Sequence, residues 1–186
     1  MTLGHGHIPC LMAVRRFLRS RSAMHPAQAV RTLNELITVT HDAERGFSAC
    51  GVRARDPALR AYLRARARSC ASAAEQLQKW VQRLGGEPAR RGSRMGAVHR
   101  GWAGLRAALA LDDDAAMLAE CERGEGHALA IYRNALDDPL PEPVHQLVLQ
   151  QFAGLMKSHD EIRLLHLAPT LVPAIAARPR GYDPAP

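Results

Sequence analysis

Apolar residues recur every three to four positions along four long stretches of the chain, the spacing of helices that each bury one face. In the first stretch this pattern is carried by Leu33, Leu36, Ile37 and Phe47. The other three stretches repeat it with leucine, valine and isoleucine. The pattern predicts helices at about residues 27–51, 57–84, 112–138 and 142–167.

Helix-end signals sharpen these bounds. Asp56 followed by Pro57 is typical of a helix start, because Asp caps the first free N–H groups and Pro fits the first turn. Gly85 and Gly86, followed by Pro88, are typical of a helix end. The acidic residues 112–114 suit the positive end of the third helix.

The link between the second and third helices is too long for a tight turn. Within it, residues 95–111 are predicted to form a short helix that packs Trp102, Leu105 and Leu109. Short links within each helix pair and a long crossover between the pairs favour an all-α, up-down-down-up four-helix bundle of ferritin-like topology. An up-down-up-down bundle with an elaborate loop stays open as the alternative.

Three segments follow from this pattern. We expect residues 25–168 to form the bundle and the proline-rich residues 169–186 to form an irregular tail. Residues 1–24 are expected to be a disordered basic extension, or to precede a true start at Met24.

Composition narrows the class of protein. Apolar residues make up 47% of the chain and charged residues 23%, which excludes a disordered or low-complexity chain. No apolar run has the roughly 20 residues of a membrane helix. The four cysteines form no CxxC pair, and three of them lie among apolar helix residues, so we expect reduced thiols in a cytoplasmic protein.

The net charge of +7 is unevenly distributed: residues 53–106 carry +10 and residues 107–161 carry −8. The basic segment admits a nucleic-acid binder as a further alternative, but it lacks the aromatic residues that stack on bases. Opposite charges in neighbouring segments can instead neutralise each other within or between chains, so we expect a homodimer.

Polar residues interrupt the apolar stripes of three predicted helices. They are Glu44 on the first helix, Glu122 and Glu125 on the third, and Gln151 and His159 on the fourth. Counted from the helix ends at 1.5 Å per residue, Glu44, Glu122 and His159 fall at about the same depth. Charged groups on an apolar face are costly unless they are paired or bind a metal, so we expect one buried polar layer.

Arg66 on the second helix is expected to face this layer, and Tyr132 and Gln151 are expected to join it. Because arginine pairs well with carboxylates, a buried Arg–Glu–His hydrogen-bonded layer is the leading interpretation and no cofactor is expected. The alternative is an iron- or manganese-binding carboxylate bundle that could support redox activity, with the metal held by Glu44, Glu122, Glu125 and His159. Dinuclear carboxylate bundles, however, use two Glu-x-x-His pairs. This chain has Met156 where the partner of His159 would stand, and no such pair on its second helix.

Several segments together resemble a known family: LNELITVTHDAERGF, LGGEP, HRGWAGLRAAL, ECERGEGHALAIYRNAL and HDEIRLL. They are similar to those of a bacterial family of ferritin-like four-helix-bundle proteins of unknown function, of which HRGW followed by ERGE is the more specific signature. The resemblance covers about residues 28–167. It implies a ferritin-like fold and a bacterial cytoplasmic setting, and it supplies no reaction.

Sequence reasoning therefore favours a non-enzymatic or vestigial ferritin-like bundle that serves as a structural or stress-associated interaction module, with no membrane partner. No glycine-rich phosphate loop and no Ser–His–Asp pattern point to a hydrolase or a nucleotide-binding protein.

Overall fold

The computed structural model describes residues 26–90, 105–111 and 113–177, and all regular structure within these ranges is helical. This confirms the all-α class and the four long helices near their predicted bounds. The elements are α1 (Pro26–Arg53), α2 (Pro57–Arg83), α3 (Leu105–Leu111), α4 (Asp114–Asp137), α5 (Glu142–Leu167), a 3₁₀ turn (Pro169–Leu171) and α6 (Val172–Ala176).

Local capping explains where α2 begins and ends. The Asp56 side chain accepts hydrogen bonds from the N–H groups of Ala58 at 2.7 Å and Leu59 at 2.9 Å, so it satisfies two otherwise free donors of the first turn. At the other end Gly85 adopts a φ of +76°. The Gly85 and Gly86 N–H groups then donate back to the carbonyls of Gln82 and Val81, the paired bonds of a Schellman C-cap.

Contacts at both ends of α1 fix its direction relative to α4. At the start of α1, hereafter the lower end, Thr32 Oγ1 donates to Asp138 Oδ2 at 2.6 Å. Just beyond the finish of α1, the upper end, the backbone N–H groups of Arg55 and Asp56 donate to the Asp114 carboxylate at 2.8 and 3.0 Å. The start of α1 thus meets the end of α4, so the two helices are antiparallel.

The link after α2 changes ends of the molecule. Asn34 near the lower end accepts from the Ala89 N–H at 2.7 Å, whereas Arg53 at the upper end donates to the Leu109 carbonyl at 3.1 Å. Of the expected 95–111 helix, Leu105–Leu111 is observed, with Leu105 and Leu109 packed on the core. Trp102 and the rest of residues 91–104 lie outside the described residues.

Two apolar clusters fill the interior. The upper cluster is centred on Phe47, Leu63 and Ile162, and the lower cluster on Leu36, Val81 and other apolar side chains. Buried polar side chains lie near the junction of these clusters and position the candidate site.

The structure differs from the expectation that the proline-rich tail is irregular throughout. Residues 169–176 form the 3₁₀ turn and α6, and Val172 and Ile175 are buried in the upper cluster. The prolines do not prevent this, because Pro169 and Pro173 each occupy a first-turn position, where no intrahelical N–H bond is lost. Residues 1–25 and 178–186 lie outside the described residues.

Candidate functional site

A buried ion pair joins α2 to α4 in the upper half of the molecule. Glu125 is 0% exposed, and its Oε1 accepts from Arg66 Nη2 at 3.1 Å and from Ser158 Oγ of α5 at 2.7 Å. The Arg66 guanidinium also lies over the Phe47 ring of α1, 5.7 Å from its centroid. The arginine–glutamate cluster, Arg66, Glu125 and Ser158, therefore connects three helices and rests on the fourth.

Burial dominates the electrostatics of this cluster. It raises the pKa of Glu125 above its ordinary value, and the opposing effects of Arg66 and Ser158 do not fully compensate. Burial would lower the pKa of Arg66, but the adjacent Glu125 carboxylate raises it, which keeps the guanidinium charged. The nearby Cys70 thiol, also buried, has its pKa raised to about 12 and stays protonated.

Two polar atoms of the cluster lack a hydrogen-bond partner among the described residues. They are Arg66 Nε and Glu125 Oε2, both of which are buried. A buried polar atom without a partner loses its hydration and gains nothing in return. The cluster is thus incompletely satisfied by the described part of the chain.

A second, neutral group of polar side chains lies two turns lower. Tyr132 of α4 accepts from Thr40 Oγ1 of α1 and donates to Gln151 Oε1 of α5, both at 2.9 Å. The Gln151 amide donates in turn to the Ala73 carbonyl and the Gln76 side chain of α2, at 3.2 and 3.0 Å. This tyrosine cluster, Thr40, Tyr132, Gln151 and Gln76, also links all four long helices.

The four candidate metal ligands occupy separate places. Glu44 accepts from His41 Nδ1 at 2.9 Å on its own helix. Glu122 is 28% exposed and contacts His166 at 2.9 Å. Glu125 belongs to the arginine–glutamate cluster. His159 is half-buried, and its Nε2 lies 3.7 Å from the point that a Cβ on Gly126 would occupy.

The inward residue of α5 at this depth is Ser158, one position before the predicted His159. The buried face of α5 runs through Val148, Gln151, Ser158 and Ile162, a regular helical stripe. The 100° between successive helix residues turns His159 away from that stripe. The sequence prediction placed His159 on the apolar stripe of this helix, one position beyond the buried Ser158, and so misplaced the rotation of the helix.

The residues present do not fit a resident iron or manganese ion. In the parts of the chain that the structure describes, no three His, Cys, Asp or Glu side chains come together as metal ligands. The most buried carboxylate, Glu125, faces the cationic Arg66, which repels a second cation.

Two further buried polar residues lie on α1. His41 and Asp42 are 4% and 5% exposed, whereas Glu44 remains partly accessible. Asp42 pairs with Arg45, and burial raises the pKa of the Asp42 carboxyl despite that pairing. The spacing along α1 places His41 beside Glu44, but no sequence signal marks its contact at 3.2 Å with Gln78 of α2.

A cavity of about 400 Å³ opens between α2 and α5. Arg66 and Ser158 line it together with Tyr62, Tyr132 and Gln151, so it borders both polar clusters. Apolar side chains form a large part of the remaining wall: Ala43, Ala73, Ala128, Ala153, Leu155 and Ile175. Gly154, Lys157 and Glu161 of α5 also line the cavity. This size and this mixture of an apolar wall with a few polar groups are typical of small-molecule sites.

Comparison with family models identifies residues 28–138 as a domain of unknown function, DUF2383. The chain belongs to this family. The match covers α1 to α4, so α5 with Gln151 and Ser158 lies beyond it. A comparison with curated proteins found no match.

The sequence contains no apolar run long enough for a membrane helix, and the described helices agree with that prediction. Within the described ranges, every helix is too short or too polar to cross a bilayer.

Proposed function

We propose that this DUF2383 chain is a non-catalytic interaction module of ferritin-like fold that works by binding a molecule in the opening between α2 and α5. The observation that carries the proposal is the cavity of about 400 Å³ beside an incompletely satisfied ion pair. A chain that only needed to close its core would fill such a space, because protein interiors are close-packed.

The ferritin-like fold is supported by the helix directions. α1 is antiparallel to α4, and the chain passes from the lower to the upper end between residues 90 and 105. Tyr132 meets Gln151 and Glu122 meets His166, so α4 and α5 are antiparallel as well. Up-down-down-up order with one long crossover is the connectivity of ferritin-like bundles.

A binding role rather than catalysis is supported by how the buried polar groups are used. Glu125 is held by Arg66 and Ser158, and Tyr132 is held by Thr40 and Gln151. Burial also raises the pKa of both Cys70 and Cys121, so neither offers a thiolate nucleophile near neutral pH.

We also propose a homodimer in the bacterial cytoplasm. Exposed apolar side chains on α5, among them Leu149, Met156 and Leu167, share its outward face and could meet the same face of a second copy. The thiols of Cys50, Cys70 and Cys121 are free, which suits a reducing compartment. Sedimentation at tens of micromolar tests the dimer, and a purely monomeric chain would contradict it.

Titration with Nile red, a neutral apolar dye, tests binding in the cavity. We expect saturable fluorescence enhancement with one dye per chain. A Gly154→Leu variant should abolish it, because Gly154 lines the cavity and a Cβ there meets no atom within 4 Å. Gln146→Leu, which adds the same side chain at an exposed position of α5 outside the cavity, is the matched control. Equal dye binding by all three proteins would contradict the proposal.

A further inference from the structure

The exposed apolar side chains of the chain are concentrated on α5. Among the described residues, the large hydrophobic side chains that stay exposed are Val52, Leu149, Met156, Leu164, Leu167 and Leu171. All except Val52 belong to α5 or to the 3₁₀ turn that follows it. An exposed apolar surface of this kind is typical of a site where a protein partner binds.

Four exposed residues of α5 follow one another at intervals of seven: Glu142, Leu149, Met156 and Arg163. Seven residues make nearly two turns of a helix, so the four side chains form one row along the outward face. The row has an anion at the start of the helix, two apolar residues in the middle and a cation near the end. When its direction is reversed, the row is complementary to itself, because Glu142 then meets Arg163 and Leu149 meets Met156.

The charges of this row distinguish between the two directions in which a second α5 can pack. A parallel copy would place Glu142 against Glu142 and Arg163 against Arg163, and these like charges repel each other. An antiparallel copy places opposite charges together, and a two-fold interface makes that contact twice. None of the ion pairs among the described residues includes Arg163, so its guanidinium is available for this contact.

Resting on the homodimer proposed above, we infer that two copies of this chain pair through antiparallel α5 helices. In this arrangement Leu149 of one copy lies opposite Met156 of the other, and Glu142 lies opposite Arg163. The apolar residues in the middle of the row exclude water from the contact, and the charged residues at its ends fix the direction and the register. The partner of this face is therefore a second copy of the same chain.

Sedimentation equilibrium of the full chain tests the register by reversing one charge at a time. In Glu142→Arg and in Arg163→Glu both symmetric contacts become like-charged, so each change should raise the Kd of the dimer about tenfold. An equimolar mixture of these two variants should recover the wild-type Kd, because a dimer with one copy of each again has two contacts between opposite charges. Glu75→Arg and Arg68→Glu reverse the same charges at exposed positions of α2, and they should leave the Kd unchanged.

Three results would overturn this inference. A wild-type Kd in both α5 variants, or a mixture that dimerises no better than its components, would exclude the register and leave the homodimer itself intact. An equal rise of the Kd in the α2 controls would show that the effect is not specific to this face. A purely monomeric wild type would overturn the proposed homodimer together with this inference, since another segment or another protein would then cover the face. The Nile red titration tests the cavity separately from all of these results.

Discussion

Arg66 of α2 and Glu125 of α4 meet across the interior with Nη2 3.1 Å from Oε1, and Ser158 of α5 donates to the same oxygen. Side chains of α2 and α5 thus converge on one carboxylate oxygen of α4. These two contacts explain why a charged residue can occupy a fully buried position of α4. The arrangement also leaves two buried atoms, Arg66 Nε and Glu125 Oε2, without a hydrogen-bond partner among the described residues.

Breaking this pair should be more costly than replacing it. Arg66→Met or Glu125→Leu alone leaves an uncompensated buried charge, and each should lower the free energy of unfolding by about 3–5 kcal/mol. The double variant should lose clearly less than the sum of the two. Urea unfolding of the four proteins measures this cycle, and costs that add within about 0.5 kcal/mol would show that the residues do not interact.

The stability of the chain should carry a pH dependence that comes from Glu125. Because burial raises its pKa, the folded state holds this proton more tightly than the unfolded chain does. The stabilisation that this proton provides is complete at pH values below the ordinary carboxyl pKa of 4.5. It is lost as the pH rises through the raised pKa of Glu125 in the folded state. Relative to Glu125→Gln, the wild type should therefore lose unfolding free energy as pH increases from about 4 to about 8.

Asp42 makes a similar contribution to the pH dependence of the unfolding free energy, because burial raises its pKa as well. This contribution is the same in the wild type and in Glu125→Gln, so it cancels when the two proteins are compared. Asp160→Asn, at an exposed position on α5, controls for loss of a negative charge. If the difference in unfolding free energy between wild type and Glu125→Gln did not change with pH, the pH dependence would not come from Glu125.

Replacing a glycine by alanine should destabilise the chain at Gly85 and stabilise it at Gly154. Gly85 has a φ of +76° in the C-cap of α2, so Gly85→Ala should cost about 1–2 kcal/mol. Gly154 lies within α5 with open space around a new Cβ, so Gly154→Ala should gain about 0.5–1 kcal/mol. Thermal unfolding of both variants checks the pair. The backbone argument would be wrong if the two changes had the same sign.

Iron loading should leave the chain without bound metal. Glu44, Glu122, Glu125 and His159 each lie beside different neighbours, so these four side chains do not form a common site. Elemental analysis after anaerobic incubation with ferrous iron and desalting measures retention, with Glu122→Ala as the comparison. Near-stoichiometric iron in the wild type that disappears in Glu122→Ala would reinstate the metal-binding alternative.

Much of the fold could be predicted because its signals are local. Asp56 and Gly85 act on backbone groups within a few residues, so their effect can be read from the chain itself. The tail was the exception. Its prolines suggested irregular structure, but Val172 and Ile175 gain burial only against residues far away in sequence.

The site was less predictable because it depends on the rotation of α5 about its own axis and on the space between α2 and α5. An error of one position along α5 exchanges Ser158 for His159, and that rotation is decided by packing against α4. The stripe on α1 likewise suggested Glu44, whereas the structure buries Asp42. The cavity has no sequence signal, since it is the space that side chains of α2 and α5 leave between them.

The most direct test of the central claim is an amide NMR spectrum of the full chain titrated with Nile red. We predict that shifts concentrate at cavity residues of α2 and α5, such as Arg66, Ala73, Gly154 and Ser158, and vanish in Gly154→Leu. Shifts confined to the outward face of α5 around Leu149 and Met156, or no shifts at all, would contradict a binding site between the two helices.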